Sequence, residues 1–334
     1  MNPLTSAAIL GAGSLGTALA KLLSPKLESI LLVSIDAECV AGINRSHRNP
    51  NYLSNIPLTP NVRATTDHRE ALSMPLIIFA VPTVGVRSEA EKLAALGLPA
   101  GTPLLSCSKG IERNTGERMS QILRDVFPEN PIGILTGPNH AEEIAEDLVT
   151  CAVVASENPQ LADALQDLFT LPHFRVYTSD DVAGVELGGA VKNVYAIAAG
   201  MAHGLGLGDN AVAALVTRAL AEMTRLGLAL GGRQETFSGL SGVGDLIVTC
   251  FSEHSRNHRV GLAIGTGKSL EDAVSSLGMV AEGVPNTLSI HEAARKAGVR
   301  TPIIDGVYSV LYQGTSASVA MRALLARDPR PENG

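Results

Sequence analysis

The chain has 334 residues, of which 45% are hydrophobic, and it carries a formal net charge of −7. Such a chain buries a large core, and we expect two domains. The acidic balance argues against nonspecific nucleic-acid binding, which requires a basic excess over a whole domain, so any anion site must be local.

The cysteines and apolar segments favour a cytoplasmic protein. The four cysteines are scattered, without a C-x-x-C pair or a histidine at metal-ligand spacing, so we expect reduced thiols and no metal site. The start of the sequence lacks the basic stretch of a signal peptide. Charges or glycines interrupt every apolar run before membrane-spanning length, so we expect no integral membrane segment.

Residues 6–36 predict a βαβ unit that binds a dinucleotide. The strand "AAIL" runs into "GAGSLG", the helix "TALAKLLS" and a second strand, "SILLVSID". Gly11, Gly13 and Gly16 form G-x-G-x-x-G, which allows a tight turn, close approach of a pyrophosphate and packing of helix on strand. Asp36 follows Gly16 by 20 residues, as expected for a residue that binds the adenosine ribose.

Two interpretations of Asp36 remain open. A carboxylate that accepts hydrogen bonds from the ribose would favour NAD over NADP. The same residue is well placed to cap a helix that begins at "AECVAG". Arg45 and Arg48 lie too far along the chain to be assigned to a 2′-phosphate. The sequence therefore predicts NAD or NADP without a preference.

The remaining elements predict an α/β domain followed by an all-α domain. Further strand candidates lie at 75–82, 102–110, 131–140, 150–156 and 174–180, and helices at 86–97 and 116–126. After Asp181 the pattern becomes helical and is interrupted by glycines. We expect a Rossmann domain with a mostly parallel, doubly wound sheet at 1–180 and a helical substrate-binding and catalytic domain at 181–334, with the last residues, "ARDPRPENG", as a loose end.

Polar residues follow two of the strands at the sheet edge where α/β proteins bind ligands. Lys109, in "SCSKGIE", is either a substrate-side cation or a solvated surface lysine. In "LTGPNHAEEIA", the backbone N–H groups of Gly137 and Asn139 could meet an anion.

Lys192 and Asn193 stand in a helical segment, "ELGGAVKNVYAIAAG", that is otherwise small and apolar. Burial there would lower the lysine pKa from about 10.4 toward the range useful for proton transfer. The alternative is a lysine whose ammonium extends to solvent at the helix edge.

The segment "FSEHSRNHRV" concentrates basic and amide groups in an acidic protein, six residues after Asp245. Arg256 offers a planar fork for phosphate oxygens, and Ser255 and Asn257 offer neutral donors. Asp245 cannot bind phosphate, but it can orient a lysine ammonium or accept a substrate hydroxyl. The alternative for the segment is a solvated, basic helix start, with His254, His258 and Arg259 as bystanders.

Seven stretches, in order, resemble the bacterial-type NAD(P)-dependent sn-glycerol-3-phosphate dehydrogenases. They cover essentially the whole chain: "GAGSLGTALA", "SKGIE", "GPNHAEE", "GGAVKNV", "GVGDLIVTC", "SRNHRVG" and "AEGVPNT". The resemblance implies a Rossmann domain, a helical domain and an active site between them. The implied reaction is reversible hydride transfer between dihydroxyacetone phosphate plus NAD(P)H and sn-glycerol 3-phosphate, which supplies phospholipid synthesis. We also expect a homodimer.

The resemblance also assigns roles. Lys192 would donate and accept the proton at the substrate C2 oxygen, with Lys109 and Asp245 as the other catalytic residues. The substrate would be held by Lys109, Gly137, Asn139, Asn193, Asp245, Ser255, Arg256 and Asn257. The cofactor would be held by Gly11, Gly13, Ser14, Leu15, Gly16, Asp36, Lys109, Ala141, Arg256, Val280 and Glu282.

Several positions depart from the family pattern. Leu15 replaces an aromatic residue, and Ile35 stands where a basic or polar residue often precedes Asp36. Asn139 and His140 stand where the family usually has Ser or Thr followed by Phe. The alternatives are therefore a dehydrogenase for a related phosphorylated or phosphonate-like polyol or ketone, a dehydrogenase for a hydroxy acid or ketopantoate-like compound, and a non-catalytic NAD-binding sensor.

Overall fold

A computed structural model describes residues 3–277 and 280–326, so most of the predicted loose end lies outside the described residues. The first half forms an eight-stranded sheet of order β3-β2-β1-β4-β5-β6-β7-β8. Neighbouring strands are parallel except β6 and β7, which are antiparallel. The strands are β1 (Ser6–Leu10), β2 (Ser29–Val33), β3 (Val62–Thr65), β4 (Ile77–Phe79), β5 (Leu104–Ser106), β6 (Ile132–Thr136), β7 (Thr150–Ser156) and β8 (Phe174–Ser179).

Helices cover both faces of this sheet. They are α1 (Ser14–Leu23), α2 (Ala37–Ser46), α3 (Val86–Ala95), α4 (Met119–Val126), α5 (Ala141–Ala145) and α6 (Pro159–Phe169). Ile9 of β1 belongs to the core that contains Leu19 of α1, whereas its neighbour Leu10 belongs to the core that contains Ile122 of α4. Alternate side chains of a strand point to opposite faces, so both faces are apolar and the strands appear in the sequence as continuous apolar runs.

The second half is helical, as predicted. It contains α7 (Val182–Gly204), α8 (Asp209–Ala229), α9 (Gln234–Phe237), α10 (Asp245–Phe251), α11 (Arg256–Gly265), α12 (Leu270–Ser275), α13 (Gly283–Lys296), α14 (Pro302–Tyr312) and α15 (Ala317–Leu325). Helix α7 is buried along most of its length because α8, α10, α11 and α13 pack around it. In the described ranges, no strand follows β8.

Glycines bring α7 and α11 into backbone contact. A Cβ on Gly200 of α7 would overlap the carbonyl oxygen of His258, and one on Gly261 of α11 would overlap that of Ile197. Larger residues would hold the axes apart at the usual 8–10 Å. The contact therefore sets the depth at which the first turn of α11 lies against the middle of α7.

No helix in the described part of the chain has both the length and the apolar character needed to cross a bilayer.

Candidate active site

Two lysines share one buried carboxylate between the two halves of the molecule. The Lys192 ammonium donates to Asp245 Oδ1 and, at 2.8 Å, to Thr249 Oγ1. Lys109 Nζ lies 2.9 Å from Asp245 Oδ2. Lys109 comes from the sheet half, whereas Lys192, Asp245 and Thr249 come from the helical half. All three predicted catalytic residues are thus in one cluster.

The local sequence around Asp245 explains its position against α7. The preceding segment, Leu240–Gly244, is a turn of π-helix, a form that is rare and frequent at functional sites. A Cβ on Gly188 of α7 would overlap the carbonyl oxygen of Ser241 in this turn. The close approach places Asp245, the first residue of α10, directly against Lys192, one turn further along α7.

Lys109 is fixed at both its backbone and its ammonium. Its carbonyl oxygen accepts hydrogen bonds from Asn193 Nδ2 at 3.3 Å and Asn286 Nδ2 at 2.9 Å. Its ammonium also donates to the Gly137 carbonyl at 2.9 Å and to Asn139 Oδ1 at 2.6 Å. The predicted residues Gly137, Asn139 and Asn193 therefore all contact Lys109.

The cluster holds two ammonium groups against one negative charge. Burial is the main cause that lowers the pKa of Lys192, to about 7; the attraction of Asp245 opposes it, and the charge of Lys109 adds to it. Burial alone would raise the pKa of Asp245, but the charges of Lys109 and Lys192 outweigh it and lower that pKa. The predicted desolvation of Lys192 is confirmed, since only 4% of the residue is exposed. A lysine with this pKa can exchange a proton near neutral pH.

The predicted phosphate segment forms the start of α11, adjacent to this cluster. Ser255 caps the helix by accepting a hydrogen bond from the His258 N–H at 3.2 Å. Asn257 is buried; its Nδ2 donates to Asn193 Oδ1 at 2.9 Å and its Oδ1 accepts from Gly283 N at 2.8 Å. The amide of Asn257 is therefore already engaged by protein groups, whereas the helix N-terminus and Arg256 supply the positive charge for an anion.

The glycine turn has the geometry that a pyrophosphate needs. Gly11 has a φ of +101°, which favours glycine, and a Cβ on Gly16 would overlap the Gly11 carbonyl oxygen. At Gly13, by contrast, a Cβ would meet no atom within 4 Å among the described residues other than its two chain neighbours. The space beside the first turn of α1, where Ser14 and Leu15 lie, is therefore open to a ligand. The residues present fit a dinucleotide.

Three more of the predicted cofactor residues are fixed by contacts to, or within, the sheet half. Asp36 caps α2: its Oδ1 accepts from Glu38 N at 2.9 Å and from Cys39 N at 3.1 Å. Ala141 is the first residue of α5, which packs on α1. Glu282 Oε1 accepts from Thr83 N, at 3.1 Å, in the loop after β4.

Arg256 and Val280 are linked to each other. Arg256 donates to the Val280 carbonyl at 3.0 Å, while the Val280 side chain is half exposed. Both lie in the helical half, so this bond by itself brings neither residue to the glycine turn.

Sequence reasoning missed three residues of the site. Thr249 follows Asp245 by four positions on α10, so helical spacing could have indicated it. Asn286 and Thr83 carry no local signal, because each reaches its partner across the boundary between the two halves.

The sequence matches the family described as NAD-dependent glycerol-3-phosphate dehydrogenase in both parts. The model of the family's N-terminal part matches residues 6–162, and the model of its C-terminal part matches residues 181–322. The chain belongs to this family.

Bacterial members of the glycerol-3-phosphate dehydrogenase family align along nearly the full chain. The glycerol-3-phosphate dehydrogenase [NAD(P)+] of Desulfitobacterium hafniense is 46% identical, covering 97% of this chain and 92% of its own. The one from Clostridium tetani is 44% identical, covering 97% and 93%.

Solved structures of the family have the same fold. The glycerol-3-phosphate dehydrogenase of Coxiella burnetii superposes with a TM-score of 0.94 at 36% identity, covering 97% of this chain and 99% of its own.

A ketopantoate reductase from Ralstonia eutropha, outside this family, superposes with a TM-score of 0.59 at 15% identity, covering 96% of this chain and 99% of its own. The second likeness shows a shared fold and gives no support to the ketopantoate alternative.

Proposed function

We propose that the protein interconverts dihydroxyacetone phosphate and sn-glycerol 3-phosphate with NADH or NADPH. The observation that carries the proposal is the pair of lysines on one buried carboxylate, beside a basic helix start, in a chain whose sheet half also carries the glycine turn. A proton donor, an anion site and a dinucleotide site are what ketone reduction on a phosphorylated substrate requires.

In the proposed reaction, Lys192 gives its proton to the substrate C2 oxygen during reduction and takes it back during oxidation. Asp245 and Thr249 hold the lysine in place through the hydrogen bonds described above. Lys109 places a second positive charge where negative charge develops on the oxygen. When bound, the nicotinamide would supply or accept the hydride.

The substrate phosphate would lie at the start of α11. Ser255 and Arg256 offer a hydroxyl and a guanidinium there, with the N–H groups of the helix terminus. Asn257 would bind the phosphate by exchanging one of its present partners, or hold Asn193 in position. The cofactor would be held by the glycine turn (Gly11, Gly13, Ser14, Leu15 and Gly16), by Asp36 and Ala141, and by Arg256, Val280 and Glu282 of the helical half.

We further infer a boundary at residue 180 between the dinucleotide-binding domain and the helical domain, a homodimer, and a cytoplasmic role in supplying glycerol phosphate for phospholipid synthesis. The short link from β8 to α7 supports the boundary. Light scattering after gel filtration tests the dimer.

The decisive experiment measures NADH and NADPH oxidation with dihydroxyacetone phosphate, related phosphorylated ketones and unphosphorylated dihydroxyacetone. We expect turnover of the first compound and little of the last. Arg256→Ala should weaken use of the phosphorylated ketone more than use of dihydroxyacetone, because only the former loses a phosphate contact as well as a cofactor contact; an equal effect on both ketones would exclude the phosphate role. Tight NADH binding without any turnover would favour the sensor.

A further inference from the structure

His140 places a buried, unpartnered nitrogen beside the lysine pair. It precedes α5 directly, in the turn that follows β6. Its Nε2 is shielded from solvent and has no hydrogen-bond partner among the described residues, and the same is true of Nδ2 of its neighbour Asn139. A buried polar atom without a partner is costly, and such atoms in native proteins require an explanation. Two consecutive examples in one turn point to polar groups that a bound ligand would satisfy.

The groups that face His140 place it within the substrate cleft. Burial is the main cause that lowers its pKa, to about 4, and the charges of Lys192, Lys109 and His254 add to it, against Asp245. The His254 ring lies 6.4 Å from the His140 ring, centroid to centroid, and directly precedes Ser255 at the start of α11. His140 thus lies near both the proposed proton donor and the proposed phosphate site, and it is uncharged at neutral pH.

An uncharged imidazole suits a hydroxyl better than a phosphate. Its Nε2 can either donate or accept one hydrogen bond, whereas the amide of Asn139 adds a donor. A phosphate only accepts, and the start of α11 already supplies cationic and N–H donors for it. A hydroxyl both donates and accepts, so it can satisfy an imidazole nitrogen in either tautomer.

We infer that His140 binds the C1 hydroxyl of the ketone and strengthens the preference for substrates that carry this hydroxyl, beyond that of family members with Phe at this position. The inference rests on the proposed function, which assigns the C2 oxygen to Lys192 and the phosphate to α11. Of the polar groups of dihydroxyacetone phosphate, only the C1 hydroxyl is then left for the nitrogens of His140 and Asn139.

The test compares kcat/KM for dihydroxyacetone phosphate and for hydroxyacetone phosphate, which lacks only that hydroxyl. A site that binds a hydroxyl discriminates strongly against an analogue without it, so we expect a preference of at least about 100-fold. His140→Phe keeps a planar ring of similar shape. It should reduce kcat/KM for dihydroxyacetone phosphate by at least about tenfold and leave hydroxyacetone phosphate within about twofold.

Two further variants test whether His140 recognises the hydroxyl or only supports the local structure. His140→Gln keeps a donor and an acceptor at a similar distance and should retain part of the preference. His254→Phe, changed at the exposed neighbouring ring, should leave the preference unaltered. Equal losses for both ketones in His140→Phe, or no loss, would overturn the inference.

The measurement on the wild-type protein distinguishes failure of the proposed function from failure of the proposed role of His140. Absence of turnover with dihydroxyacetone phosphate would contradict the proposed function. Turnover of both ketones at similar kcat/KM would leave the function standing and contradict the role of His140.

Discussion

The positive charge of Lys192 is in an unfavourable environment, because its ammonium is buried beside that of Lys109. Its pKa of about 7 means that the proton it donates is lost from the free enzyme as pH rises through that value. The kcat/KM for ketone reduction should therefore fall above about pH 7, whereas glycerol-3-phosphate oxidation should rise over the same interval.

Initial rates between pH 6 and 9 test this prediction in both directions. The substrate phosphate titrates near pH 6, so only the alkaline limb reports on the lysine. Parallel profiles for reduction and oxidation would rule out Lys192 as the group that titrates.

Replacing Lys192 by Ala removes the proposed proton donor and leaves the glycine turn unchanged. We expect kcat to fall by roughly 100-fold to 10,000-fold, the usual contribution of a positioned acid or base. The Kd for NADH, measured by fluorescence, should change little. Near-normal turnover would assign the proton transfer to another group.

Asp36 combines a structural and a proposed cofactor role, and two substitutions separate them. Asn can cap α2 as Asp does, whereas Ala cannot. Asp36→Ala should therefore lower the Tm, while Asp36→Asn should leave it nearly unchanged. If the carboxylate faces the ribose, Asp36→Asn should raise kcat/KM for NADPH relative to NADH. An unchanged ratio would leave Asp36 with structural contacts alone, the cap of α2 and the hydrogen bond that its Oδ2 accepts from Asn51 Nδ2 at 2.8 Å.

At the scale of elements, the contact between α7 and α11 determines how the two ends of the substrate site face each other. Gly261→Ala would force its Cβ against the Ile197 carbonyl, and backbone cannot move aside as a side chain can. We expect a loss of about 2–3 kcal/mol in unfolding free energy. The KM for the phosphorylated ketone should also rise, because α11 carries Ser255 and Arg256 while α7 carries Lys192.

Gly306→Ala in α14 is the matched control. A Cβ there would meet Leu324 at an ordinary 3.8 Å, so the better helix propensity of Ala should stabilise the protein by up to about 1 kcal/mol. Denaturant unfolding measures both variants. A similar loss in both would indicate that the close approach of α7 and α11 is unimportant.

The elements differ in how well the sequence predicts them. Seven of the strands follow from apolar or β-branched runs, since a sheet covered on both faces demands apolar side chains at successive positions. The sequence pattern did not predict β3, because this strand has only four residues, lies at the edge of the sheet and exposes Arg63. The second strand was also drawn too long: β2 ends at Val33, and Asp36 already belongs to the cap of α2.

At the scale of the whole molecule, Asp245 joins the two halves by its contacts with Lys109 and Lys192. Asp245→Asn should lower the unfolding free energy by roughly 3 kcal/mol, the low end for a broken buried pair, because Lys109 retains some contact with solvent. Activity should be lost as well.

Adding Lys109→Met to Asp245→Asn should recover part of the stability, since one of the two facing cations is removed, without recovering activity. Urea unfolding of the single and double variants gives the coupling between the residues. Strictly additive losses would show that the two side chains act independently.

The sequence pattern indicates Lys109, Lys192 and Asp245 individually, but only the fold shows that both lysines contact the carboxylate of Asp245. Their separation along the chain, 136 residues between Lys109 and Asp245, leaves no periodic signal. The same limit applies to Asn286, whose amide holds the Lys109 carbonyl from a separation of 177 residues.

The shared carboxylate also bears on how the enzyme is recharged. In the proposed reaction, each ketone reduced takes one proton from Lys192, whose side chain is 5% exposed. Lys109, on the other oxygen of Asp245, has a side chain that is 16% exposed. In that reaction, the Lys109 ammonium would pass a proton to Asp245, and the protonated carboxyl would turn and pass it to the neutral amine of Lys192. Lys109 would then regain a proton from water, so the acid would be replenished through the sheet half.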